Sequence, residues 1–256
     1  MTVSWMGATQ RQGGTQGRKE DMISEERERL IRREVRSPRS AAIAGIVYSL
    51  LMVTSMILLG RALSISPTDI GRTWLETWST ESAVVLVLIP FAGIAFLWFT
   101  GVIRDLLGER EDRFFSTVFF GSGIILVVML YMWAAAFGAL IGTYSLAADL
   151  LVDNDIFVYA TVFMNQIIGN YFLRMAAVYM LSIGSLWTRA KVVPRWLVIV
   201  TYVVGLGFLL FAGIRREARF AFPAWVFLVS IYILILNYRR TQVGGIEDGL
   251  TVNSNR

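Results

Sequence analysis

Six long runs without a single acidic residue, five of them without any charge, divide this chain of 256 residues. Uncharged residues number 21 between Arg39 and Arg61, 22 between Glu81 and Arg104, and 35 between Arg113 and Asp149. A further 19 lie between Arg195 and Arg215, and 19 between Arg219 and Arg239. The remaining run, 33 residues between Asp155 and Arg189, is broken only by Arg174. Roughly 20 apolar residues in a helix cross a hydrocarbon core of about 30 Å. The pattern predicts an all-α integral membrane protein, a bundle of six transmembrane helices over residues 40–60, 82–103, 116–143, 157–186, 196–214 and 220–238. The third and fourth runs exceed one crossing but are too short for two. Each predicts one long helix, with tilt or a projecting end taking up the surplus.

The basic residues predict the orientation. Eighteen Lys and Arg fall in the N-terminal tail, the 2–3 and 4–5 loops and the C-terminal tail; five (Arg61, Arg72, Arg215, Arg216, Arg219) fall on the other side. Basic residues gather on the cytoplasmic face, so both termini are expected there, in a multi-pass protein of the cell (inner, cytoplasmic) membrane. The polar first 39 residues show no cleavable signal, so insertion through the first span itself is expected. The turn Arg215–Arg219 is too short to move. It predicts a tight hairpin of spans five and six whose arginines meet lipid phosphates.

Hydrophobic residues make up 55% of the chain and charged residues 17%, against about 45–50% and about 25% in soluble domains. With the basic residues placed beside spans, the net charge of +5 points to anionic lipid, not nucleic acid. The chain has no Cys and no His. That removes disulfides, thiolate nucleophiles, iron–sulfur clusters, His-based zinc and haem ligation, and a Ser-His-Asp triad. No phosphate-loop, HExxH or GxSxG sequence occurs. Neither a cofactor nor a metal is expected.

Of the extramembrane pieces, residues 1–19 read as disordered. Residues 20–36 carry Ile23, Leu30, Ile31 and Val35 near one helical face, with Glu25–Arg29 and Glu28–Arg32 pairs. They predict an amphipathic helix on the inner leaflet, or one that docks a partner. In the loop 61–81, Ser66 and Pro67 start a short helix with Ile70, Trp74 and Trp78 on one face, expected to float in the headgroup layer. Asp149, Asp153 and Asp155 read as a solvated turn.

Arg174 is the charge inside the apolar runs, where one costs about 2.5–3.5 kcal/mol on insertion scales. Gln166, Asn170 and Arg174 follow at i, i+4 and i+8, with Asn165 alongside. The strip is expected to face the bundle interior, with Gly169 letting a neighbour come close. Tyr48, Ser49, Tyr131, Ser230 and Tyr232 are candidate partners from other spans. Arg174, Asn170, Gln166 and Tyr131 form the candidate ligand site; a structural arginine or a subunit contact are the alternatives.

Ala134, Gly138 and Gly142 repeat small residues at four-residue spacing along span three, the pattern of close helix approach. Packing within the chain and a homodimer or membrane-partner face both fit. Pro90 predicts a kink in span two, and Pro223 is placed in the first turn of span six. Between spans two and three, Arg104, Asp105, Glu109, Arg110, Glu111, Asp112 and Arg113 alternate in sign and predict a salt-bridged cytoplasmic turn.

The block PFAGIAFLWFTGVIRDLLGEREDRFFSTVFFGSG, residues 90–123, and the segment GNYFLRMAAVYMLSIGSLWTRAKVVPRWL, residues 169–197, resemble uncharacterised multi-pass membrane proteins of actinobacteria and related bacteria. The resemblance covers spans one to six. It implies that Arg104, Asp105, Glu111, Asp112, Arg113, Asn170 and Arg174 belong to a recurrent pattern, and it implies no activity. The expected function is that of a non-enzymatic accessory or scaffold protein acting through helix contacts. The alternative is a small transporter or lipid- or anion-binding protein centred on Arg174. An enzyme is the least favoured reading.

Overall fold

Charge punctuates the helices. The computed structural model describes residues 39–61, 72–107, 113–146, 156–191, 193–214 and 217–253, and the regular structure among these is entirely helical. Helix α1 covers Arg39–Arg61. Helix α2 runs Arg72–Leu107, α3 Arg113–Leu146, α5 Arg195–Phe211 and α6 Ala218–Asn253. Between α3 and α5 lies α4, continuous in three pieces: α-helical Ile156–Gln166, a π-helical turn Ile167–Phe172, and α-helical Leu173–Ala190. The third and fourth apolar runs thus each form one long helix. Five apolar stretches are long enough to cross a membrane: Arg39–Arg61, Glu81–Asp105, Phe114–Thr143, Val158–Ala190 and Ala218–Tyr238. Helix α5, at 17 residues, is a shorter apolar helix.

Two elements extend further than expected. The helix bearing Trp74 and Trp78 is not a separate piece before span two; residues 72–80 continue without a break into α2. Pro223 lies at the sixth position of α6, beyond its first turn, and that helix runs past Tyr238 to Asn253. The expected helix over 20–36, Ser66 with Pro67, the three aspartates at 149–155, and Glu109, Arg110, Glu111 and Asp112 lie outside the described residues.

Helix α4 is the central element: 61% of its apolar stretch is buried, against 33–50% for the other four. Its lower half packs between α3 and α5, the upper side being that of the α5–α6 turn. The core is aromatic. Tyr48 of α1, Phe96 and Phe99 of α2, Phe119 of α3, Tyr179 of α4 and Phe222 of α6 are all fully buried. Phe96 meets Tyr48 at 4.9 Å and Tyr179 at 5.3 Å between ring centroids, and Phe119 meets Tyr179 at 4.6 Å. Offset and tilted aromatic pairs at these distances add about 0.5–1.5 kcal/mol each beyond the area they bury.

Because lipid is as apolar as the core, helix association in a membrane rests on close packing and interhelical hydrogen bonds. Both are present. The Ser49 hydroxyl of α1 is 2.8 Å from its own helix's Gly45 carbonyl and 3.0 Å from the Pro223 carbonyl of α6. The hydroxyls of Thr100 on α2 and Tyr179 on α4 are 3.0 Å apart. Trp225 of α6 donates its indole Nε1–H to Thr201 of α5 at 2.9 Å. Ser185 of α4 and Tyr202 of α5 share a hydroxyl pair at 3.1 Å. At Gly123 an added Cβ would lie 3.1 Å from Thr100 and 3.2 Å from Tyr179, so this glycine sets the approach of α3 to both neighbours.

The bundle is stepped. Helix α5 returns antiparallel to the lower half of α4 and reaches about 26 Å. Its upper turn lies beside Asn170, where a Cβ on Gly213 would be 3.8 Å from the Asn170 Oδ1. Helix α4 continues upward from there to Ile156, about 20 Å more. The α5–α6 turn therefore forms a ledge against the middle of α4.

Candidate functional site

The four-residue spacing of Gln166, Asn170 and Arg174 produces a connected ladder. Arg174 donates through Nη1 to the Asn170 Oδ1, and the Asn170 amide donates to the Gln166 Oε1 at 3.2 Å. Helical side chains lean toward the N-terminus of their helix, so each group reaches the residue one turn above it.

The ladder does not face the bundle interior. Gln166 and Arg174 are exposed and Asn170 is half-buried, while Ile167, Ile168, Phe172 and Leu173 on the same stretch are buried. The aromatic core fills the interior face of α4 at this height, and the polar strip is left on the outer wall. A Cβ on Gly169 would meet nothing within 4 Å, so no neighbour approaches closely there.

The sequence candidates for meeting Arg174 are engaged elsewhere. Tyr131 donates its hydroxyl to the Pro90 carbonyl of α2 at 3.0 Å. Its ring lies over Gly93, where a Cβ would be 2.5 Å from the hydroxyl. Ser49 bridges to α6, Tyr48 packs on Phe96, and Ser230 donates to its own helix at Val226. Tyr232 lies edge-on to Trp196. Arg174, Asn170 and Gln166 form one cluster, which Tyr131 does not join.

The small residues of α3 divide. Gly138 packs on Leu86 of α2, with contacts of 3.6–3.7 Å from an added Cβ, whereas Gly142 meets nothing within 4 Å and Ala134 is half-buried. The tightest glycines are Gly45 and Gly93, on α1 and α2. At the lower ends, Arg104 stacks its guanidinium on Phe120 at 4.8 Å, and Arg189 on Phe115 at 5.0 Å. Cation–π contacts thus join the lower ends of α2 and α4 to α3. Asp105 is exposed, and Arg113 is the first residue of α3.

A second polar locus escaped the sequence reading. Ser55 of α1, Thr161 and Asn165 of α4, and Arg219 of α6 line a cavity of about 30 Å³ whose other walls include Met56, Trp133 and Met164. Such a space holds about two water molecules. The Ser55 Oγ and Thr161 Oγ1 are buried and have no hydrogen-bond partner in the protein. At about 100° per residue, Thr161 and Met164 lie roughly 140–160° around α4 from Gln166, and Asn165 about 100° from it. The cavity and the ladder are separate.

No family model matches this chain, and no curated protein or solved structure is significantly similar to it. Its own geometry carries the functional reading.

Two kinds of chemistry are available. The ladder ends in a guanidinium on an outer wall, able to form charge-assisted hydrogen bonds with an acceptor that comes to it. The cavity places hydroxyls, an amide and a guanidinium around a small space. Among the described residues no cluster of His, Cys, Asp or Glu suited to a metal occurs.

Proposed function

We propose that the protein is a non-enzymatic accessory or scaffold subunit of the cytoplasmic membrane that works by helix contact through the outer wall of α4. The observation that carries this reading is the Gln166–Asn170–Arg174 ladder, which lies on the outside of the bundle at the ledge made by the α5–α6 turn. Polar side chains on a spanning helix are costly against lipid tails and are found facing protein or water. A helix seated on the ledge, with an acidic or amide side chain at its height, would supply the acceptors. Above the ledge, Val158, Val162 and Phe163 of α4 are exposed and would give such a helix an apolar wall.

In this reading the chain crosses the membrane six times, with α5 as the shortest crossing and both termini in the cytoplasm. The eighteen basic residues against five support the orientation. The core is filled with aromatics, and the cavity at Ser55 is small, about 30 Å³, which favours a contact role over a transport path.

The test compares wild type with Arg174→Leu and Arg174→Lys in native-membrane discs, measuring particle mass and the amount of folded protein. The proposal expects a wild-type mass above that of one chain. Leu should reduce it to one chain at normal abundance, and Lys should retain it in part. A wild-type particle of one chain, or an unchanged mass in Arg174→Leu, overturns the proposal.

A further inference from the structure

The outer wall of α4 offers a cation, and the ledge beside it offers an anion. Arg174 is exposed and donates through Nη1 to the Asn170 Oδ1. That acceptor is a neutral amide, so the guanidinium keeps its charge and its other N–H groups for a group from outside. The side chain rises one turn to make this bond. Asn170 in turn lies level with the α5–α6 turn, since a Cβ on Gly213 would be 3.8 Å from the Asn170 Oδ1. The guanidinium is therefore held near the height of that turn.

The same turn carries Glu217, the only acidic residue between Asp155 and Glu247. Its side chain is exposed. Its backbone is fixed at the start of α6, where its carbonyl accepts the Phe220 N–H at 3.1 Å. Within one chain Arg174 is engaged with Asn170, and no ion pair joins it to Glu217.

A cation and an anion at one height on one surface are self-complementary. Two copies related by a two-fold axis along the membrane normal keep every residue at its own depth. In such an interface residue i meets j while j meets i. An axis beside the ledge turns Arg174 of each copy toward Glu217 of the other. A different protein would have to supply a carboxylate at that depth independently. Phe211 and Ile214 of the turn and Tyr171 of α4 are also exposed and give the contact an apolar margin.

We infer, on the helix-contact reading, that the partner at the α4 wall is a second copy of this chain. The two copies are joined by two reciprocal ion pairs, each between Arg174 of one and Glu217 of the other.

The experiment co-expresses full-length chains carrying two different affinity tags. The protein is extracted in uncharged detergent and passed over both tags in turn, and the mass of the complex and of its subunits is measured. Wild type should give a complex of two copies. Arg174→Glu alone and Glu217→Arg alone should each lower co-capture at least about tenfold, the effect of losing one charge-assisted bond, because like charges then face each other at both contacts. An Arg174→Glu chain co-expressed with a Glu217→Arg chain should restore the complex, since each mixed contact again joins opposite charges. A fold defect in either chain would not be rescued in this way.

If Arg174→Glu does not accumulate as folded protein, Glu217→Gln and Glu217→Asp carry the test from an exposed turn. Gln should lose the complex and Asp should keep it in part. Unchanged co-capture in Glu217→Arg or Glu217→Gln overturns the inference, as do two folded single variants that fail to rescue each other. A wild-type complex whose added mass is a different protein also overturns it while leaving the helix-contact reading in place. A wild-type particle of one chain ends both.

Discussion

A Cβ on Gly45 of α1 would lie 2.7 Å from the ring of Phe99 on α2 and would collide with the Ser230 hydroxyl of α6. Three helices therefore converge on one hydrogen atom. Neither obstacle yields easily, since Phe99 is fully buried and Ser230 is held to the Val226 carbonyl at 2.7 Å.

Gly45→Ala should accordingly destabilise the folded protein by about 1–3 kcal/mol, the usual cost of overpacking. Gly142→Ala, at a position where a Cβ meets nothing within 4 Å, should be neutral or stabilise by up to about 1 kcal/mol through helix propensity. Reversible unfolding in mixed micelles measures both. Equal costs would mean that the stripe on α3 packs as tightly as α1.

Thr201→Val keeps the shape of a buried side chain and removes the acceptor of the Trp225 indole. Interhelical hydrogen bonds in membranes average about 0.6 kcal/mol and reach about 1.7. A loss in the upper part of that range is expected, since the indole N–H is left inside the α5–α6 packing. Trp225→Phe in the same background should cost no further hydrogen-bond energy, and a double-mutant cycle reads the coupling.

Tyr131→Phe removes the bond to the Pro90 carbonyl but leaves the ring over Gly93. Because Tyr131 lies on a half-exposed face, the expected cost is small, about 0.6 kcal/mol. Particle mass in native-membrane discs should not change. A change in mass would place Tyr131 in the same working surface as Arg174.

The chain has no cysteine, so a single introduced thiol is the only one to label. Glu217→Cys at the α5–α6 turn should react with a membrane-impermeant maleimide from outside the cell. Thr188→Cys, near the lower end of α4, should react only after the membrane is opened. Labelling of Glu217→Cys solely from the cytoplasm would invert the topology.

Charge placement made the helices legible because a charge inside hydrocarbon is costly, so the brackets at Arg39, Arg61, Arg104 and Arg219 lie close to apolar helix ends. It could not say which way Arg174 faces. That depends on where α5 ends against α4 and on the π turn, and neither leaves a periodic trace in sequence. Tyr131 was misplaced for a related reason, since depth along a helix does not fix direction around it. Arg219 was legible as one arginine of a short turn. Ser55 and Thr161 were not legible as its companions, because isolated hydroxyls are common in spans and bond to their own helix, as Thr188 and Ser230 do here.

The π turn at Ile167–Phe172 works as a phase shifter within α4. It sets the azimuth of the lower half, with Tyr179 and Ile183 aimed at the core, independently of the upper half, where Met164 and Thr161 face the cavity. Deleting one residue from this turn would shorten the helix by only about 1.5 Å yet rotate one half by about 100° against the other. Either the cavity or the aromatic core would then face the wrong way. The identity of each residue in this turn matters less than how many there are.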